Sequence, residues 1–106
     1  MTQPLPPTLP STLERLIRAL APERIVLFGS HARGTARANS DIDLLVIANW
    51  QGEPARYLRH GRQIVARIFP RVDLVFCSPA EVEAAHEGRS PFLLSVLENG
   101  FVVYNR

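Results

Sequence analysis

A single α/β domain built on a mixed sheet is what this chain predicts, and three observations carry the prediction. Apolar runs of strand length alternate with amphipathic stretches of helical length instead of segregating into separate blocks. One run, Leu44 to Ala48, is continuously apolar, as expected of a central strand buried on both faces. Finally, Gly29-Ser30 closes one run and Asp41-Ile42-Asp43 opens the next, and these two features share one end of a sheet only if their strands are antiparallel.

Each element follows from local chemistry. At 106 residues the chain suits one domain that buries roughly two thirds of the surface of its unfolded form. Residues 1–10 read as a proline-rich tail and 11–106 as the domain. Ser11-Thr12-Leu13-Glu14 has the form of a capping box, and Leu13, Leu16, Ile17 and Leu20 follow at helical spacing until Pro22. Arg24 to Phe28 is a strand closed by Gly29, and Ser30 to Ala38 holds a turn and a short helix around Gly34. Asp41 to Ile47 is the second strand. From Glu53 to Phe69, Leu58, Gly61, Val65 and Ile68 share one helical face while Arg56, Arg59, Gln63 and Arg67 share another, the pattern of a surface helix. Arg71 to Cys77 is the third strand. Ser78-Pro79-Ala80-Glu81 combines a capping residue, proline at the first helical position and a first-turn glutamate; Ser90-Pro91 repeats the device for a helix closed at Gly100. Phe101 to Tyr104 makes a last strand at a sheet edge.

Composition excludes several classes. No apolar run approaches the length of a membrane span, and the N-terminus lacks the basic and apolar segments of a secretory signal, so a cytoplasmic protein is expected. Cys77 is the only cysteine, which excludes an internal disulfide and a thiolate zinc cluster, and its neighbours Val75-Phe76 predict a buried thiol. The chain has no lysine, so lysine chemistry is ruled out. The net charge of +2 argues against a dedicated DNA-binding surface. His31, His60 and His86 match no metal-ligand spacing and are assigned to the surface or to local hydrogen bonds. Tyr57 and Tyr104 fit packing, and Trp50 falls in a loop after the second strand.

The chemistry concentrates in the aspartates, of which there are three: Asp41, Asp43 and Asp73. Residues two apart on a strand project to one side, so Asp41 and Asp43 form a two-carboxylate ledge. Asp73 lies among apolar strand residues, where an unpaired carboxylate would cost several kcal/mol, and magnesium is the expected compensating charge. If the third strand runs parallel to the second, Asp73 falls level with the pair. Gly29 permits close backbone approach, the helix start at Ser30 offers N–H groups to phosphate oxygens, and Arg33, with Arg37 beside it, can bind two oxygens at once.

Taken together, Gly29-Ser30-His31-Ala32-Arg33-Gly34, the ten residues between Ser30 and Asp41, Asp41-Ile42-Asp43-Leu44, and Val72-Asp73-Leu74 resemble the signature of the DNA polymerase beta-like nucleotidyltransferase superfamily. In its length the chain is similar to the minimal nucleotidyltransferases that accompany HEPN-domain ribonuclease toxins as antitoxins. The resemblance implies a polymerase beta palm-like fold, a mixed sheet flanked by helices. It implies Asp41, Asp43 and Asp73 as catalytic residues and ligands of two magnesium ions, with Gly29, Ser30 and Arg33 binding the nucleotide. It also implies ATP as donor and a tyrosine of the toxin as acceptor of AMP. Two alternatives stand beside this reading: a catalytically silent antitoxin that acts by binding, and transfer to a small molecule or an RNA end. No Arg-x4-6-His ribonuclease signature is present, so the chain is not expected to be the toxin itself.

Overall fold

The computed structural model describes residues 5–50 and 52–106. Helix α1 (Leu9–Leu20) starts earlier than the Ser11-Glu14 pattern predicts, because Pro10 supplies a preset φ to its first turn and needs no hydrogen-bond partner there. Ser11 is therefore not a cap. Its hydroxyl donates to the Thr8 carbonyl at 3.1 Å, and Glu14 pairs with Arg18 at 2.8 Å instead of closing a capping box. Leu9 and Pro10 thus belong to the helix, whereas residues 1–4 of the expected tail lie outside the described residues. Ala21 ends α1 in the left-handed region, its N–H donating to the Ile17 carbonyl.

Strand β1 (Arg24–Phe28), the single-turn helix α2 (Ser30–Arg33), strand β2 (Ile42–Ile47), helix α3 (Pro54–Val65) and strand β3 (Val72–Cys77) follow. Helices α4 (Pro79–His86) and α5 (Pro91–Asn99) lead to strand β4 (Phe101–Asn105). The short helix α2 and the turn at Gly34 fall within the segment Ser30 to Ala38, as expected. Helix α3 is shorter than predicted: it stops at Val65 instead of Phe69, and Pro70 keeps Phe69 out of the helical region.

The sheet order is β3-β2-β1-β4, with β1 antiparallel to β2 and β4, and β2 parallel to β3. The expected mixed sheet and edge position of the last strand are both present. Side-chain alternation divides the core in two. Ile25, Leu27, Leu44 and Val46 face Leu16, Leu20 and Val65 of α1 and α3. On the opposite face, Val26, Leu45 and Ile47 meet Val82 and Ala85 of α4 and Leu93 and Val96 of α5. Three layers result, and β2 is buried on both sides as its apolar run demands.

Cys77 is buried in the second of these cores, where loss of solvation, reinforced by Glu81 and opposed by Arg24, pushes its thiol up to about 12. It is an inert packing residue. At the start of α4, Ser78 and Glu81 form a complete capping box: the Glu81 N–H donates to the Ser78 hydroxyl at 3.2 Å, and the Ser78 N–H donates to the Glu81 carboxylate at 3.0 Å. Replacing Ser78 by alanine is expected to cost about 1 kcal/mol, lowering the thermal midpoint by roughly 4–8 °C in a calorimetric scan.

Candidate active site

The antiparallel pairing of β1 with β2 sets Phe28 opposite Asp43, so the end of β1 and the start of β2 share one end of the sheet. The parallel pairing of β2 with β3 sets Asp43 beside Asp73. Alternation then places both carboxylates on the α5 side, the side of Leu45 and Ile47. Asp41 lies just ahead of β2, exposed to solvent. Burial raises the pKa of Asp43 above its ordinary 3.8, the charges of Asp73 and Asp41 raise it further, and His31 and Arg33 pull it back.

Gly29 lies directly against Asp43. Its φ of 74° and ψ of −153° fall in a region essentially reserved for glycine, and a Cβ there would run into the Asp43 Oδ2. Chain direction changes at this point from β1 into α2, whose Ala32 and Arg33 N–H groups both donate to the Gly29 carbonyl at 3.1 Å. Of the two places expected for it, His31 takes the hydrogen bond: it is buried, and its Nε2 lies 3.0 Å from the Ser40 carbonyl oxygen. This contact ties α2 to the segment that leads into Asp41. The Arg37 N–H donates to the Ser40 hydroxyl at 2.8 Å, closing the same loop.

A cleft of about 610 Å³ opens here, lined by Gly29, Ser30, Arg33 and Asp43 on one side and by Phe92, Ser95 and Asn99 of α5 on the other. Of the expected nucleotide-binding residues, Gly29, Ser30 and Arg33 all reach it; Asp41, Asp73 and Arg37 do not line it. The α5 residues were not singled out from sequence. The available signal was the Ser90-Pro91 cap, which sets where the helix starts but not what it packs on. Phe92 meets Phe28 edge to face, with ring centroids 6.1 Å apart, and this contact closes one side of the cleft. A larger cleft of about 670 Å³ lies at the opposite end of the sheet, around Arg24 and Asn105, and contains none of the aspartates.

Asp73 has a partner that the sequence reading did not assign: Arg71, whose guanidinium donates to its Oδ1 at 3.0 Å. Arg71 immediately precedes β3, two residues before Asp73. Their side chains are 75% and 37% exposed, so the pair is a surface ion pair of small energetic value. Among the described residues, no three His, Cys, Asp or Glu side chains are gathered closely enough to grip a single ion. The donor set nonetheless suits a hard divalent cation, since it consists of carboxylate oxygens and the charges of Asp73 and Asp41 act on Asp43.

A mixed sheet between two helical layers thus sets the Gly29 turn against Asp43. Residues 10–103 match the nucleotidyltransferase domain family, and the chain belongs to it. Over 88 residues it is 39% identical to a protein of Methanocaldococcus jannaschii named "Putative protein adenylyltransferase", a match covering 77% of this chain and 58% of that relative's length. In fold it is similar to a chain of a crystal structure of a toxin–antitoxin with AMP-PNP, at a TM-score of 0.55 and 24% identity, over 91% of this chain and 73% of the other. Among the described residues no helix is long and apolar enough to cross a membrane.

Proposed function

We propose that the chain is a magnesium-dependent adenylyltransferase and an antitoxin, moving AMP from ATP to a tyrosine hydroxyl of a partner HEPN ribonuclease toxin. The observation that carries this reading is the register that sets Asp43 beside Asp73 and against Gly29, at the mouth of a cleft that also holds Arg33. Family membership supports nucleotidyl transfer. The relative named for protein adenylylation and the toxin–antitoxin fold neighbour are consistent with the acceptor and the partner.

In this scheme Asp41, Asp43 and Asp73 would hold the divalent cation, which supplies charge neutralisation to the triphosphate and acidity to the acceptor hydroxyl. Arg33 binds phosphate oxygens with its planar guanidinium, and Ser30 lies beside it in the cleft. The aromatic wall of Phe28 and Phe92 flanks the nucleoside. Asp73, released from its exposed pairing with Arg71, accepts the proton of the tyrosine hydroxyl. The tyrosine oxygen bonds to the α-phosphorus, the bond from that phosphorus to the bridging oxygen breaks, and pyrophosphate leaves. Phe69, Phe92 and Phe101 are all more than half exposed near this end of the sheet, as suits an acceptor carried by another protein.

One observation favours a binding-only antitoxin: Asp73 is held by Arg71, and the carboxylates are not drawn together. The two readings separate when the toxin is mixed with this protein with and without ATP and magnesium. Inhibition that requires both, with a toxin tyrosine gaining the mass of one AMP, is the expected result. Full inhibition without nucleotide and no change in mass would overturn the catalytic reading.

A further inference from the structure

The net charge of +2 conceals a strong separation between the two helical layers. On α1, α3 and the turns flanking α3, the exposed Arg15, Arg18, Arg56, Arg59, Arg62 and Arg67 stand against Glu14 and Glu53 alone, a balance of +4. On α4, α5 and the turn joining them, Glu81, Glu83, Glu87 and Glu98 stand against Arg89, a balance of −3. Arg18 is engaged by Glu14, and among the described residues none of the other arginines of the first layer has an acidic partner.

These cations are aligned. Arg56, Arg59, His60 and Gln63 occupy one face of α3 at helical spacing, and a cleft of about 480 Å³ runs along them beside Tyr57. Gln63 also borders a cleft of about 450 Å³ against Arg15 and Arg18 of α1, so the basic surface continues from one helix to the other. Tyr57 is fixed in place: its hydroxyl donates to the Leu20 carbonyl at 3.1 Å and its ring meets Phe76 edge to face at 5.4 Å. Trp50, only partly buried, stacks on Tyr57 with centroids 5.4 Å apart and planes 28° apart. A basic track thus ends at a rigid aromatic platform.

We infer that this face binds a single-stranded polynucleotide, with Arg56 and Arg59 on successive phosphates and a base against the Trp50–Tyr57 pair. Guanidinium groups that track a backbone beside aromatic rings that accept any base are the two components of sequence-tolerant single-strand binding. An acidic protein surface would satisfy the arginines but leave the aromatic platform without a role. The inference is independent of the transfer reaction, because none of these residues lines the Asp43 cleft.

The test is fluorescence anisotropy with labelled oligouridylate and oligothymidylate, with polyglutamate as competitor, over a range of salt. Single strands are expected to bind in the micromolar range at low salt, and a difference between the RNA and the DNA strand tells which of the two the face prefers. The double variant Arg56→Ala/Arg59→Ala should weaken binding at least about tenfold and flatten the salt dependence by about 1.4 in log–log slope, two phosphate contacts' worth. Trp50→Ala should weaken binding about fivefold or more with the slope unchanged. Absence of salt-dependent binding, a double variant that binds like the parent, or polyglutamate displacing the strands at equal charge concentration would each overturn the assignment. The last of these would point to an acidic protein partner.

Discussion

Replacing Asp43 by asparagine is expected to abolish AMP transfer while making the ligand-free domain more resistant to heat. The carboxylate is partly desolvated and faces the charges of Asp73 and Asp41, and both effects raise its pKa in the folded chain. The folded state therefore holds this proton more tightly than the unfolded chain does. The stability so gained is complete below the unfolded value near 3.8 and is lost as pH rises through the folded one, so at neutral pH the charge opposes folding. Asparagine removes that charge and keeps the shape. The variant should melt above the parent at pH 7, and the gap should close as the pH is lowered toward 4. Transfer should fall by about 10³-fold, since losing a carboxylate that neutralises and orients the phosphates costs several kcal/mol of transition-state stabilisation. Undiminished transfer by this variant would remove Asp43 from the catalytic set. A lower melting point at pH 7 would show that its contacts outweigh the repulsion.

Gly29→Ala should produce a large loss of stability. Two costs act together: a backbone conformation that alanine rarely adopts, and collision of the new Cβ with the Asp43 carboxylate. About 2–3 kcal/mol is expected, a fall in thermal midpoint of roughly 10–20 °C for a domain of this size. The two costs can be separated in an Asp43→Ala background, where the Oδ2 and Cγ that an added Cβ would meet are gone and the backbone cost of Gly29→Ala remains. The difference in destabilisation between the two backgrounds measures how tightly the turn is set against Asp43. If Gly29→Ala costs the same in both, the glycine does not support the aspartate. Assayed at low temperature, where it stays folded, Gly29→Ala should still transfer AMP poorly, because Asp43 must move to admit the methyl group.

Much of this arrangement was legible from residue order. The β1 and β2 runs, the need for them to be antiparallel and, given a parallel β3, the level placement of Asp43 and Asp73 follow from side-chain alternation and from where Gly29 and Asp41 fall in the chain. The starts of α4 and α5 were readable because Ser78-Pro79 and Ser90-Pro91 act within one turn. The start of α1 was not readable in this way. There two plausible starts lay close together, and the proline turn at Leu9–Pro10 displaced the Ser11–Glu14 pattern. Nor did spacing reveal that His31 would be buried while making its hydrogen bond, or that Asp73 would pair with Arg71.

Residue order was enough to place the strands, the antiparallel turn from β1 into β2, the family and the residues that bring carboxylates and a glycine turn to one end of the sheet, since turn chemistry and a period of two act over a few neighbours. Packing in three dimensions settled that β3 runs parallel to β2, that α5 supplies the far wall of the cleft, and that the arginines collect on α1 and α3 while the glutamates collect on α4 and α5. Those outcomes depend on which helix covers which face of the sheet. That choice is settled by packing between residues distant along the chain, and neither spacing nor composition encodes it locally.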